Sequence, residues 1–199
     1  MPICSIHPLP YSADPIAFFA RIREAPGAVL LDSGRPTAVR GRHDLLSAWP
    51  LQELSVADDE DGAAYLQRLR DSLKALGAAQ LPDGCELPFA GGLIGYLSYE
   101  FGRRLEPLPD QAIDDLQLPE ARLGLYAWAL ISDHQEQTSQ LIFHPSLAAS
   151  ERSCSLPISL SRTRSSASAN RFRPASARIT IARLSNAFRP TFRPVTAIR

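Results

Sequence analysis

Cysteine is scarce in this chain: three among 199 residues, at Cys4, Cys85 and Cys154, far apart and without a C-x-x-C spacing. An odd, scattered set excludes a disulfide framework and makes a reducing compartment the default. Histidine is equally thin. His7, His43, His134 and His144 form no ligand spacing with one another or with the cysteines, so no zinc site is expected. No apolar run approaches the ~20 residues that cross a bilayer. The N-terminus lacks the positive segment and continuous apolar stretch of a signal peptide. A cytoplasmic location follows as the expectation. Phosphate-cradling glycines are missing too, because Gly91 and Gly92 are adjacent and no third glycine completes G-x-G-x-x-G. The acidic run Asp58-Asp59-Glu60-Asp61-Gly62 fails as a calcium loop. Ala57 and Arg68 stand where that loop needs its first and twelfth ligands.

Net charge is zero, but the sum hides an asymmetry. Residues 1–150 carry 11 Lys+Arg against 20 Asp+Glu, a net of −9; residues 151–199 carry 10 Arg against Glu151 alone, a net of +9. Two segments of different character are therefore expected. The second holds nine Ser and ten Arg, no Lys and no Asp, and neither helical nor strand periodicity is sustained in it. Three readings apply to it: an out-of-frame translation of a GC-rich gene, a disordered extension without function, or an Arg/Ser-rich nucleic-acid-binding tail. The first is preferred, and nucleic acid is not expected as a partner. The organisation read from sequence is thus a folded domain over 1–150 and an Arg/Ser-rich, out-of-frame, disordered tail over 151–199.

Within the first segment, Asp14 followed by Pro15 reads as the start of a short one-faced helix, carrying Ile16, Phe19 and Arg23 with Phe18 and Ile22 alongside, and ending before Pro26-Gly27. Residues 28–32 read as a buried strand and 44–49 as another, with Arg35-Pro36-Thr37 as loop between them. The acidic run opens a helix over 62–76, favoured by the positive end of its dipole. Leu66, Leu69, Leu73 and Leu76 supply its apolar face and Gly77 its stop. Gly91, Gly92 and Gly95 mark a strand approached closely by another backbone, or a bulge. From 122 to 131 both parities are apolar, which predicts a strand covered on both faces. A polar turn and a returning strand at 139–143 complete a hairpin inside a layered sandwich. The fold class is α+β: a partial layered β-sandwich with flanking helices.

Two blocks then resemble a known family. The first runs from Pro88 through Gly91-Gly92-Leu93-Ile94-Gly95-Tyr96 to Glu106. The second comprises Leu9-Pro10-Tyr11, Asp14-Pro15, Val29-Leu30-Leu31-Asp32-Ser33-Gly34 and Gly41-Arg42-His43-Asp44-Leu45-Leu46. In order and spacing they resemble the N-terminal domain of aminodeoxychorismate synthase component I and, more distantly, of anthranilate synthase component I, across about residues 8–145. The anthranilate branch usually carries Glu where this chain has Asp32.

The resemblance implies an enzyme converting chorismate and ammonia, with Mg²⁺, into 4-amino-4-deoxychorismate for 4-aminobenzoate and folate synthesis. A glutamine amidotransferase subunit would supply the ammonia. In the family the chorismate and Mg²⁺ ligands lie in a C-terminal half that this chain does not match. No catalytic residue or metal ligand carries over, and the missing half becomes an expected partner. What carries over is the remnant of a tryptophan pocket, mapped to Leu31, Asp32 and Ser33, with Arg40 where an aromatic is expected. His43 and Asp44, being adjacent, give a weak acid/base signal, and Ser33 has no base near it in sequence. The chain therefore reads as a non-catalytic portion of component I. The alternatives are the anthranilate branch, or a stand-alone module binding an aromatic amino acid or nucleic acid.

Overall fold

In this computed structural model the described residues are 1–34, 41–108 and 117–147. Expectations for the loop at Arg35-Pro36-Thr37, for Arg40 and for residues 151–199 lie outside them. Among the described residues eight strands form two antiparallel sheets. The larger contains β1 (Ser5–Leu9), β2 (Val29–Leu31), β3 (His43–Ser47), β7 (Trp128–Asp133) and β8 (Thr138–Phe143), in the order β1-β8-β7-β3-β2. The smaller contains β4 (Gln52–Ser55), β5 (Gly92–Leu97) and β6 (Ala121–Tyr126), in the order β4-β6-β5. Helix α1 (Ile16–Phe19), helix α2 (Gly62–Leu76) and a 3-10 helix at Tyr99–Arg104 complete the unit. The α+β layered arrangement agrees with the expectation. No helix among the described residues is long and apolar enough to cross a membrane.

The stretch predicted as one strand from 122 to 131 is two strands, and this explains its double apolar parity. Tyr126 pairs with Gly92 in the small sheet, while Trp128 pairs with Phe143 in the large one. Ala127 sits between, buried, its carbonyl accepting from the His144 N–H at 2.7 Å. All six residues of β7 are buried. Ser47 Oγ donates to the Trp128 carbonyl at 2.7 Å, and the Trp128 indole N–H donates to the Ala48 carbonyl at 2.8 Å. Buried polar groups left unpaired would cost ~1–3 kcal/mol each, so these bonds fix where the chain changes sheets.

Two cores result. One lies between the sheets, with Leu45, Ile94, Tyr126, Ala129, Ile131 and Ile142. The other lies under α2, with Leu54, Tyr65, Leu69, Phe101, Ala121 and Leu125. The buried stripe of α2 is Gly62, Tyr65, Leu69 and Ser72, with Leu66 and Leu76 packed half-buried beside it; of the four predicted leucines Leu73 is exposed. Tyr65 sets the stripe: it fills the core edge-on to Phe101 at 5.5 Å, and its hydroxyl donates to the Leu54 carbonyl at 2.8 Å. In α1 the buried residue is Phe18, and Ile22 just past its end is buried too, as their place beside the expected face suggests, while Ile16 is exposed. The helix is a single turn, begun by the Asp14 carboxylate accepting from the Ile16 N–H. Strand β2 is an edge strand with Leu31 exposed, not the buried strand expected.

The acidic run has the structural role anticipated for it. Asp61 accepts from the N–H groups of Ala63 and Ala64, capping α2. Glu60 pairs with Arg68 at 2.6 Å. Arg104 binds Glu120 and the carbonyls of Ala57 and Glu60, tying the run to the 3-10 helix. Close backbone approach at the glycine strand also holds. A Cβ at Gly95, where φ is +154°, would lie 2.1 Å from the Arg122 carbonyl oxygen.

Candidate functional site

The sequence-predicted site residues follow β2. Asp32 Oδ1 accepts from the Gly34 N–H at 2.7 Å, a local Asx turn that bends the chain away from the sheet. Ser33 N–H donates to Asp44 Oδ1 at 2.7 Å. Gly41 lies against Ser33, where a Cβ would stand 2.4 Å from the Ser33 carbonyl oxygen. Only a residue without a side chain lets the returning segment come this near. Ser33 Oγ is buried without a hydrogen-bond partner. Of the four expected residues, then, Ser33 joins a polar cluster and Asp32 shapes its turn. Leu31 is half exposed, and Arg40 lies outside the described residues.

Behind Ser33 runs a buried relay. Asp44 Oδ2 stands 2.6 Å from His134 Nε2, and His134 Nδ1 stands 2.9 Å from the Tyr11 hydroxyl. The Asp44 and His134 side chains are 3% and 4% exposed. With Asp44 ionised, Nε2 donates to it and Nδ1 accepts from Tyr11, which assigns every polar atom of the ring. The relay joins the segment after β1, the start of β3, the β7–β8 turn and the turn after β2.

A second carboxylate sits beside it. Asp133 Oδ2 accepts from Arg42 Nε at 2.9 Å, with His43 Nε2 at 3.2 Å; its Oδ1 accepts from the N–H groups of Gln135 and Glu136. Burial pushes the Asp133 carboxyl up. The Arg42 bond, the two backbone donors and His43 outweigh it and hold the group down at about 2. His43 and Asp44, adjacent in sequence, thus face different partners and form no acid/base pair. Strand alternation separates them.

Sequence reading counted His134 only among four histidines without ligand spacing, took Tyr11 as part of a longer motif and weighed Asp44 only beside His43. Contacts 90 and 123 residues apart along the chain leave no periodic signal. Chemically, the arrangement holds a turn. Both carboxylates are taken up by fixed donors, and among the described residues Ser33 Oγ has no hydrogen-bond partner to act as a base.

No family model matches this chain. It is 39% identical over 136 residues to aminodeoxychorismate synthase component 1 of Salmonella typhimurium (strain LT2), covering 63% of this chain and 30% of that protein. It is 34% identical over 139 residues to the Escherichia coli K12 protein of the same name, covering 64% of this chain and 30% of that one. Against anthranilate synthase component 1 of Mycobacterium tuberculosis H37Rv it is 35% identical over 116 residues, covering 56% and 21%. Among solved structures, anthranilate synthase component I from Streptococcus pneumoniae TIGR4 aligns with 68% of this chain and 31% of its own, at TM-score 0.43 and 20% identity. The chain thus spans less than a third of the length of the curated relatives it matches. Its N-terminal part is a relative of component 1 of aminodeoxychorismate synthase and of anthranilate synthase.

Proposed function

We propose that residues 1–150 are the non-catalytic N-terminal portion of an aminodeoxychorismate synthase component I, and that this chain by itself turns over no chorismate. The reaction assigned to the complete enzyme is chorismate plus ammonia to 4-amino-4-deoxychorismate, in the cytoplasm, with a glutamine amidotransferase as ammonia source. The observation that carries the reading is the match to two aminodeoxychorismate synthase components over only 30% of their length.

The chemistry of the described residues supports it. Mg²⁺ asks for several free oxygen ligands in octahedral array. The buried carboxylates Asp44 and Asp133 are instead saturated by His134, Arg42 and backbone N–H groups. These residues do not fit the ion. On this reading Mg²⁺ and chorismate belong to the portion of the enzyme that this chain does not match. Residues 151–199 then add no function, and the nucleotide sequence near codon 150 should resume a chorismate-binding portion in another frame.

The test is an assay of the purified chain with chorismate, Mg²⁺ and free ammonia, which removes any need for the amidotransferase. No product above background is expected. Turnover lost on a substitution within residues 1–150 would overturn the reading. A second reading, aromatic amino-acid binding beside Leu31, Asp32, Ser33 and Arg40, is favoured by one observation: the buried Ser33 hydroxyl without a partner. Tryptophan binding abolished by Ser33→Ala would establish it.

A further inference from the structure

Residues 77–91 join α2 to β5 and are tied to the start of the chain. Gln80 N–H donates to the Pro2 carbonyl at 3.0 Å, and Cys4 N–H donates to the Gln80 carbonyl at 2.9 Å. Farther along, the Cys4 thiol reaches the Ala90 carbonyl, with Sγ 3.6 Å from the oxygen. Residues 80 and 90 thus both close on Cys4. Ala79, Leu81, Leu87, Phe89 and Ala90 pack half-buried on the inter-sheet core that contains Cys4. The segment is a strap over that core.

Cys85 stands midway between the two tie points. A turn places it there: Cys85 N–H donates to the Pro82 carbonyl at 3.1 Å, and Gly84 takes the φ of +75° that such a turn reserves for glycine. Cys85 is half-buried, whereas Cys4 is 3% exposed. The Leu87 N–H bonds to the Cys85 thiol, drawing the sulfur toward a residue that packs on the same core as Cys4. Cys85 also acts electrostatically on Cys4. Burial pushes both thiols up, helped at Cys4 by Cys85 and opposed at Cys85 by the Leu87 bond. Thiols of raised pKa are poor leaving groups, so a disulfide between them resists reduction once formed. Such a bond wants Cα atoms about 4.4–6.8 Å apart, and the strap, without helix or strand along residues 81–91, is free to settle there.

We propose that Cys85 is a modification site for small-molecule disulfides of the glutathione class, with Cys4 as its resolving thiol. The Cys85 thiolate attacks one sulfur of the reagent, whose S–S bond breaks; the departing thiolate takes up the proton that Cys85 lost. Cys4, deprotonated in turn, attacks Cys85 Sγ, forms the Cys4–Cys85 bond and expels the second thiol. One reagent disulfide is reduced to two thiols, and two cysteines are oxidised to one cystine. Only Cys85 meets the reagent, so the burial of Cys4 is no obstacle. The new bond clasps the strap to the N-terminus at its centre. The site does not rest on the enzymatic reading above.

The test uses the full chain with Cys154→Ser, which removes the third cysteine and leaves the core untouched. The folded protein is incubated with an excess of oxidised glutathione, and its intact mass is followed. The expected product has lost two hydrogens, maps to a Cys4–Cys85 cross-link, exceeds glutathione adducts by about tenfold or more, and reverts in dithiothreitol. Amide exchange over residues 79–90 should slow about tenfold or more on oxidation. Adding Cys4→Ala should stop the reaction at a stable adduct on Cys85; adding Cys85→Ser should leave Cys4 unmodified. Circular dichroism confirms that each variant is folded. In urea, adducts on both cysteines should replace the internal bond. An adduct that persists on Cys85 while Cys4 is present, an internal bond equally abundant in urea, or exchange unchanged by oxidation would each overturn the proposal. So would modification of Cys4 in the Cys85→Ser protein as fast as that of Cys85 in the Cys4→Ala protein.

Discussion

His134 Nε2 lies 2.6 Å from Asp44 Oδ2, and the other oxygen of the same carboxylate holds the Ser33 N–H at 2.7 Å. One buried carboxylate therefore fixes both the β7–β8 turn and the turn that follows β2. Removing one member of a buried charged or hydrogen-bonded pair leaves the other without a partner, at a cost of about 3 kcal/mol. Asp44→Ala should lower the unfolding free energy by that amount in urea titrations. Amide exchange at Ser33 should accelerate more than exchange in α2. Uniform acceleration would mean that Asp44 supports the whole unit and not the turn in particular.

Asp133 gives a pH signature. Its folded carboxyl titrates at about 2 against an ordinary 3.8. The stabilisation is therefore complete above about pH 4 and is lost as pH falls through the window from 3.8 toward 2. For a side chain only 8% exposed, the shift corresponds to roughly 2 kcal/mol. Asp133→Asn should be less stable than the parent at pH 7, and the gap should shrink by pH 2. A constant gap across that range would contradict the assignment.

His144 works in the same direction at a higher pH. Burial pushes its imidazole below the ordinary value of 6.5. The neutral ring is the stable folded form, and stability falls as pH drops below 6.5 and through the lower folded value. His144→Gln should flatten the pH dependence of the melting temperature between about pH 7 and pH 5, which differential scanning calorimetry can read.

Gly95 tests the sheet. A side chain there meets backbone, not a flexible neighbour, at a φ that L residues rarely adopt. Gly95→Ala should cost about 2 kcal/mol or more and shift the amide signals of Arg122 and Leu123, its neighbours across the β5–β6 pairing. A neutral substitution would show that β5 can slide in register. Tyr65→Phe, by contrast, removes one hydroxyl bond and should cost only about 1 kcal/mol, read by the urea midpoint.

Helix α2 was legible to the residue because its signals are local: Asp61 caps it and Gly77 ends it. The glycine strand was legible for the same reason, since a missing Cβ reports on its immediate neighbour. The burial stripe of α2 was read in part: Leu66, Leu69 and Leu76 pack in the core, and Leu73 does not. Leucine spacing suggested one face, but Tyr65 is the larger side chain and finds a carbonyl for its hydroxyl in the core. The switch at Ala127 was invisible, because a strand buried on both faces and two strands in different sheets leave the same run of apolar residues. At the site, Ser33 could be singled out only by resemblance. The His134–Asp44–Tyr11 relay could not, since nothing in a linear sequence brings residues 11, 44 and 134 together.

On the proposed function, this chain supplies one portion of a component I enzyme and none of its chemistry. The most direct measurement mixes the purified chain with a separately produced C-terminal portion of the Salmonella typhimurium relative, in chorismate, Mg²⁺ and ammonia, and follows 4-amino-4-deoxychorismate. No product is expected from this chain alone, and mixing should raise the rate above that of the C-terminal portion by itself. Product from this chain alone, or a C-terminal portion whose rate is unchanged by its addition, would contradict it.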